Sequence, residues 1–83
     1  MTSILYIAGM GLVNQLRQFR FAAGEMTQQQ LADRAGVTRQ TVISIEKGVY
    51  RPSVELALRL AAALGTTVEE LFQIDESKEE VRR

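Results

Sequence analysis

Apolar side chains recur at three- and four-residue steps along most of the chain beyond Gly11, and the steps break at glycine, threonine, serine or proline. That period belongs to an α-helix with one buried face, and the breaks are residue types that start or stop helices. The pattern predicts an all-α protein of five helices. The first spans Leu12 to Ala23, with Leu12, Leu16, Phe19 and Ala23 inward, and stops at Gly24. Thr27 and Gln30 have the spacing of a capping box and open a second helix that turns Leu31, Ala32 and Ala35 inward. Gly36 ends this short helix because glycine accepts a positive φ. Thr38 caps a third helix running to Lys47, with Val42 and Ile45 on its buried side, and Gly48 closes it. Gly48 to Pro52 make a loop, since proline holds Arg51 extended. Ser53 caps a fourth helix whose inner stripe is Val54, Ala57, Leu60, Ala61 and Leu64, stopped by Gly65. Thr67 and Glu70 repeat the capping-box spacing before a short fifth helix carrying Leu71 and Phe72.

The two ends depart from this pattern. Ser3 to Ala8 is apolar and β-prone. It reads either as a strand that pairs with its symmetry mate in a dimer, or as a disordered extension, or as residues ahead of a true start at Met10. From Asp75 onward the chain is charged and nearly free of apolar residues, the composition of a frayed or disordered tail. The expected division is an extension over 1–10, a folded domain over 11–73 and a charged tail over 74–83.

Composition narrows the chemistry. A chain of 83 residues holds one domain with a modest core, so function falls to surface residues. Cysteine and histidine are both absent, which removes disulfides, thiolate metal sites, thiol nucleophiles and imidazole acid-base catalysis together. No enzyme, cofactor or metal is expected. The acidic group Asp75, Glu76, Glu79 and Glu80 reads as a solvated tail rather than a metal site. No apolar run approaches the roughly 20 residues that span a bilayer, and Ile4 to Val13 lacks the basic lead of a signal peptide, so a cytoplasmic protein is expected. The formal charge of zero hides a segregation: residues 1–66 carry seven basic and four acidic side chains, net +3, and 67–83 carry three and six, net −3. A basic body with an acidic end suits a surface that faces phosphate.

Within that body, Gln28 to Lys47 holds two short helices joined by a turn of about three residues around Gly36. Such a pair projects its second helix away from a small bundle. Ala32, Gly36, Val37, Val42 and Ile45 meet the packing demands; Arg39, Gln40, Thr41, Ile43 and Ser44 are left over. Those leftovers are rich in the donors and acceptors that read base edges: arginine pairs with guanine O6 and N7, and glutamine with adenine N6 and N7.

The run TQQQLADRAGVTRQTVISIEKG, Thr27 to Gly48, closely resembles the phage-repressor and Cro-like, or Xre, helix-turn-helix family. The likeness extends from Asn14 to Phe72 and is greatest to short stand-alone prokaryotic regulators. It implies a five-helix, lambda-repressor-like domain that binds double-stranded DNA as a homodimer, one recognition helix per half-site. Carried over by position, it places Gln28 on phosphate, Arg39, Gln40 and Ser44 on bases, and Thr38, Thr41 and Lys47 on phosphate or at the groove edge. Arg20 and Glu46 match a structural pair that links the first helix to the end of the recognition helix. Arg51 is divided between phosphate and solvent.

Two positions depart from the family pattern. Glu25 is an extra residue between the first two helices, expected to be absorbed by the loop, and Ile43 stands where a polar residue is common. Ile43 either meets a thymine methyl or fills a partner contact. The function implied is a sequence-specific transcription regulator, most simply a repressor. The competing reading is an antitoxin-like or adaptor module whose helices bind a protein partner and whose DNA binding is secondary.

Overall fold

The computed structural model describes residues 11–75; the expectations for 1–10 and for the tail at 76–83 lie outside them, while Ile74 and Asp75, expected to begin that tail, lie in a paired strand. The elements run β1 (Gly11–Asn14), α1 (Leu16–Ala22), α2 (Gln28–Ala35), α3 (Arg39–Glu46), α4 (Val54–Leu64), α5 (Val68–Leu71) and β2 (Phe72–Asp75). Among the described residues there are thus five helices, as the periodicity predicts, joined by one two-stranded antiparallel sheet that it does not.

The sheet corrects the purely α-helical expectation at both ends. β1 pairs with β2 in the register Gly11–Asp75, Leu12–Ile74, Val13–Gln73 and Asn14–Phe72. The Gln15 N–H donates to the Leu71 carbonyl at 2.9 Å just beyond the ladder. Leu12 therefore lies in a strand, and the first helix starts at Leu16 instead of Leu12. Asn14 marks the switch, since its Oδ1 accepts from the Leu16 N–H at 3.3 Å. At the other end α5 stops at Leu71, and Phe72 opens β2 with extended φ and ψ of −127° and 136°. Segments as short as GLVN and FQID read alike as strand or helix, and here pairing with a distant segment decides.

The caps fall where the sequence puts them. Thr27, Thr38, Ser53 and Thr67 each accept from the backbone N–H three residues on, relieving an orphan donor at a helix start. Thr27 and Gln30 complete the capping box. Thr67 and Glu70 do not, because the Glu70 carboxylate accepts instead from the Thr66 hydroxyl at 2.6 Å. The extra residue between α1 and α2 is accommodated by two successive left-handed residues, Gly24 at φ +82° and Glu25 at φ +58°. For glutamate that conformation costs about 1–2 kcal/mol.

Leu16, Leu31, Val42, Ile45, Leu60 and Leu71 are fully buried at the centre, with Ala32, Ala35 and Ala61 letting the helices approach closely. The inner stripe of α4 is Leu56, Ala57, Leu60, Ala61 and Leu64; Val54, expected inward, is 77% exposed. Rotation does not set it apart, since Ala61, seven residues on, lies about 20° from it around the helix at roughly 100° per residue; Val54 is the first residue of α4, at the end of the stripe. Ala23, also expected inward, is exposed, and Phe19 is half-buried against the core. Among the described residues no helix is long and apolar enough to cross a membrane.

These burials predict opposite responses on one helix. Leu60→Ala removes a fully buried side chain and is expected to lose about 2–5 kcal/mol in urea unfolding. Val54→Ala is expected to stay within about 0.5 kcal/mol of the wild type.

Candidate nucleic-acid interface

The turn between α2 and α3 consists of Gly36, Val37 and Thr38. Gly36 sits at φ +76°, and a Cβ there would meet Arg59 Nη1 at an ordinary 3.5 Å. Backbone conformation, not lack of space, therefore calls for glycine. The Val37 N–H returns to the Ala32 carbonyl at 3.0 Å, closing α2. The Thr38 hydroxyl accepts from the Thr41 N–H at 3.2 Å and lies 3.0 Å from the Thr41 hydroxyl, opening α3.

The far end of α3 is held from three sides. Arg20, buried on α1, donates from Nε to Glu46 Oε2 at 2.7 Å, from Nη2 to Glu46 Oε1 at 3.3 Å and from Nη1 to the Met26 carbonyl at 2.7 Å. Gln28 Nε2 adds a third hydrogen bond to the Glu46 carboxylate, at 3.1 Å. The side chains of Arg20 and Glu46 are only 8% and 11% exposed, so this is an ion pair taken almost wholly out of water. Asn14 Nδ2 donates to the Ile45 carbonyl at 2.9 Å, tying α3 to β1. The N–H groups of Val49 and Tyr50 both reach the Ser44 carbonyl, at 3.0 and 3.2 Å. Lys47 N–H serves Ile43, and Gly48 N–H serves Ile45. The carbonyls of Ile43, Ser44 and Ile45, among those a helix end leaves without intrahelical partners, are thus met by groups beyond the helix.

With Val42 and Ile45 buried, Gln40, Ile43, Ser44 and Lys47 share the opposite face at helical spacing, and Arg39 flanks it at the first turn. Arg39, Gln40 and Lys47 are exposed; Thr41, Ile43 and Ser44 are half-buried. Among the described residues the side chains of Arg39, Gln40, Ser44 and Lys47 have no hydrogen-bond or ion-pair partner. The structure thus brings six of the seven candidates, Thr38, Arg39, Gln40, Thr41, Ser44 and Lys47, onto one exposed helix and its cap. Gln28 is half-buried at the start of α2, with its amide already engaged by Glu46.

A helix-turn-helix family model matches residues 16–71, α1 through α5. The chain belongs to the Xre-type helix-turn-helix family. An uncharacterized HTH-type transcriptional regulator of Methanothermobacter thermautotrophicus is 52% identical over 62 residues, covering 74% of this chain and 88% of the relative. A counterpart in Methanocaldococcus jannaschii is 46% identical over 59 residues, covering 71% and 88%. The HTH-type regulator YgzD of Bacillus subtilis is 41% identical over 63 residues, covering 76% and 94%. Among solved structures, a hypothetical transcription factor, NHTF, from Neisseria superposes with a TM-score of 0.65 at 26% identity, over 80% of this chain and 75% of that one.

The helix-turn-helix unit has further neighbours that sequence reasoning missed. A cleft of about 380 Å³ on one side of α3 is lined by Asn14, Arg17 and Gln18 together with Gln28, Ile43, Glu46 and Lys47. A second, of about 240 Å³, is lined by Thr38, Gln40, Thr41, Ser44 and Tyr50. Arg17 is one of the seven basic residues of the body, and nothing in the sequence says that α3 lies beside it. Tyr50 had no signal at all, because its place depends on two loop N–H groups finding one carbonyl.

Removing one partner of the buried pair should be far worse than removing both. Glu46→Ala strands the Arg20 guanidinium and is expected to lose about 3–5 kcal/mol in urea unfolding. The double change Arg20→Met with Glu46→Leu is expected to recover most of that loss.

Proposed function

We propose that this protein is a sequence-specific transcription regulator that binds a pseudo-palindromic operator as a homodimer and represses by occupying promoter DNA. The observation that carries the proposal is the outward face of α3: polar side chains without partners on a helix whose two ends are rigidly held. A B-form major groove admits an α-helix, and unengaged arginine and glutamine side chains are what base edges require. In this reading Arg39, Gln40 and Ser44 contact bases. Thr38, Thr41 and Lys47 contact phosphate, as does Gln28, which keeps an acceptor oxygen and one N–H beyond its bond to Glu46. A single short helix spans few base pairs, so pairing two copies on two half-sites supplies the remaining specificity.

The roles separate in measurement. Selection from a random DNA pool is expected to yield a two-fold-related motif, and failure to enrich any motif at low salt would overturn the proposal. On that motif Arg39→Ala is expected to lose about 1–3 kcal/mol and relax preference at one base position. Lys47→Ala is expected to weaken all sequences alike and lower the salt slope by about one.

A further inference from the structure

We propose that Ile43 reads the C5-methyl group of one pyrimidine in each half-site, so that binding depends on the methylation state of that base: thymine or 5-methylcytosine is accepted and unmethylated cytosine is disfavoured. The inference rests on the regulator reading and gives it a means of regulation, through covalent marking of the DNA. Ile43 stands on α3 where the family resemblance leads to a polar residue, and none of the roles assigned above uses it. It does not serve the core either. The buried residues of α3 are Val42 and Ile45, and the partly buried apolar residues packed against the core are Phe19, Val37, Ala63, Val68 and Phe72.

Its place on the helix is that of a base reader. Ile43 follows Gln40 by three residues and precedes Lys47 by four, so it shares their outward face, with Ser44 beside it. It is half-buried in the cleft of about 380 Å³, where the other six lining residues, Asn14, Arg17, Gln18, Gln28, Glu46 and Lys47, are all polar or charged. An isoleucine with such neighbours gains an apolar contact only from what binds there. The major-groove edge of unmodified DNA displays one alkyl group, the thymine methyl, and is otherwise a pattern of donors and acceptors. A 5-methylcytosine carries the same methyl at the same ring position. A protein partner asks for more, since docking faces are contiguous apolar patches and a lone isoleucine ringed by amides and charges is not one. The large exposed side chains Val54 and Leu58 stand elsewhere, on α4. Burying one methyl group against Ile43 corresponds to roughly a fourfold change in affinity.

The experiment titrates the selected operator with each thymine in turn replaced by deoxyuridine, which removes only the methyl, and then with cytosine or 5-methylcytosine at the position found. Wild type, Ile43→Ser and Ile43→Ala are compared, the alanine variant being the one that favours helix and keeps the test decidable if serine costs stability. In the wild type, one thymine per half-site is expected to cost roughly fourfold when it becomes deoxyuridine. Cytosine there is expected to bind less well than thymine, and its 5-methylation to restore roughly fourfold. Both variants are expected to lose the two methyl responses while keeping the salt slope of the wild type, because no charge is removed. A methyl response that persists undiminished in Ile43→Ala overturns the proposal. So does loss of the dimer by that variant in sedimentation of the free protein, which would place the side chain between copies. A selected motif with no methyl-sensitive base overturns this inference alone; if the wild type binds no DNA selectively, the regulator reading falls first and this one with it. Urea midpoints of the variants are expected to stay close to that of the wild type, since Ile43 lies outside the core.

Discussion

The Arg20–Glu46 pair joins α1, the loop after it, the start of α2 and the end of α3, and each of those elements takes its position from the others through it. Desolvating two such charges costs several kcal/mol each, and the cost is offset only where every donor and lone pair finds a partner. Here all three guanidinium nitrogens donate, and the carboxylate accepts from Arg20 and Gln28 together. An apolar cluster of the same volume would serve stability about as well. It would not fix the angle at which α3 leaves the bundle, since apolar contacts have no preferred direction, whereas a bidentate guanidinium–carboxylate contact is planar and in register.

Direction matters because α3 is short. With the Arg20–Glu46 pair and the Ile45 and Ser44 carbonyls all engaged from outside, the C-terminal half of the helix is clamped by α1, β1 and the loop at Val49 and Tyr50. Its N-terminal half is set by Gly36 and the Thr38 cap. The small sheet acquires a purpose in this light. Four-residue strands are marginal as a ribbon, yet β1 delivers Asn14 to Ile45 and so carries order from the chain's two described ends to α3.

What could be read in the sequence was whatever local chemistry decides. The four caps, Gly36 and the burial of Leu31, Ala32, Ala35, Val42 and Ile45 follow from residue type and spacing alone. What could not be read depends on partners distant along the chain. Leu12 satisfied a helical step to Leu16 and lies in a strand because Ile74 pairs with it. Val54 satisfied steps to Ala57 and Ala61, but it is the first residue of α4 and stands exposed at the end of the stripe. Glu70 has the spacing of a capping box, but its carboxylate accepts from the Thr66 hydroxyl instead. At the candidate interface the seven residues taken from position in the motif all lie on α3, its cap or the start of α2, while Arg17 and Tyr50 required knowing which elements flank α3.

The zero net charge, which weighs against a nucleic-acid partner when taken over the whole chain, loses its force once pairing is considered. The ion pairs among the described residues consume Arg20 and Arg59, one buried and the other joined to Glu55 along α4. The cations left unpaired there are Arg17, Arg34, Arg39, Lys47 and Arg51, and three of them stand on α3, at its end or at the cleft beside it. Charges more than about 8–10 Å apart are largely screened at physiological salt. A phosphate approaching α3 therefore meets Arg17, Arg39 and Lys47 rather than the average of the chain. Where the acidic residues of the C-terminal segment lie matters more to that encounter than how many there are.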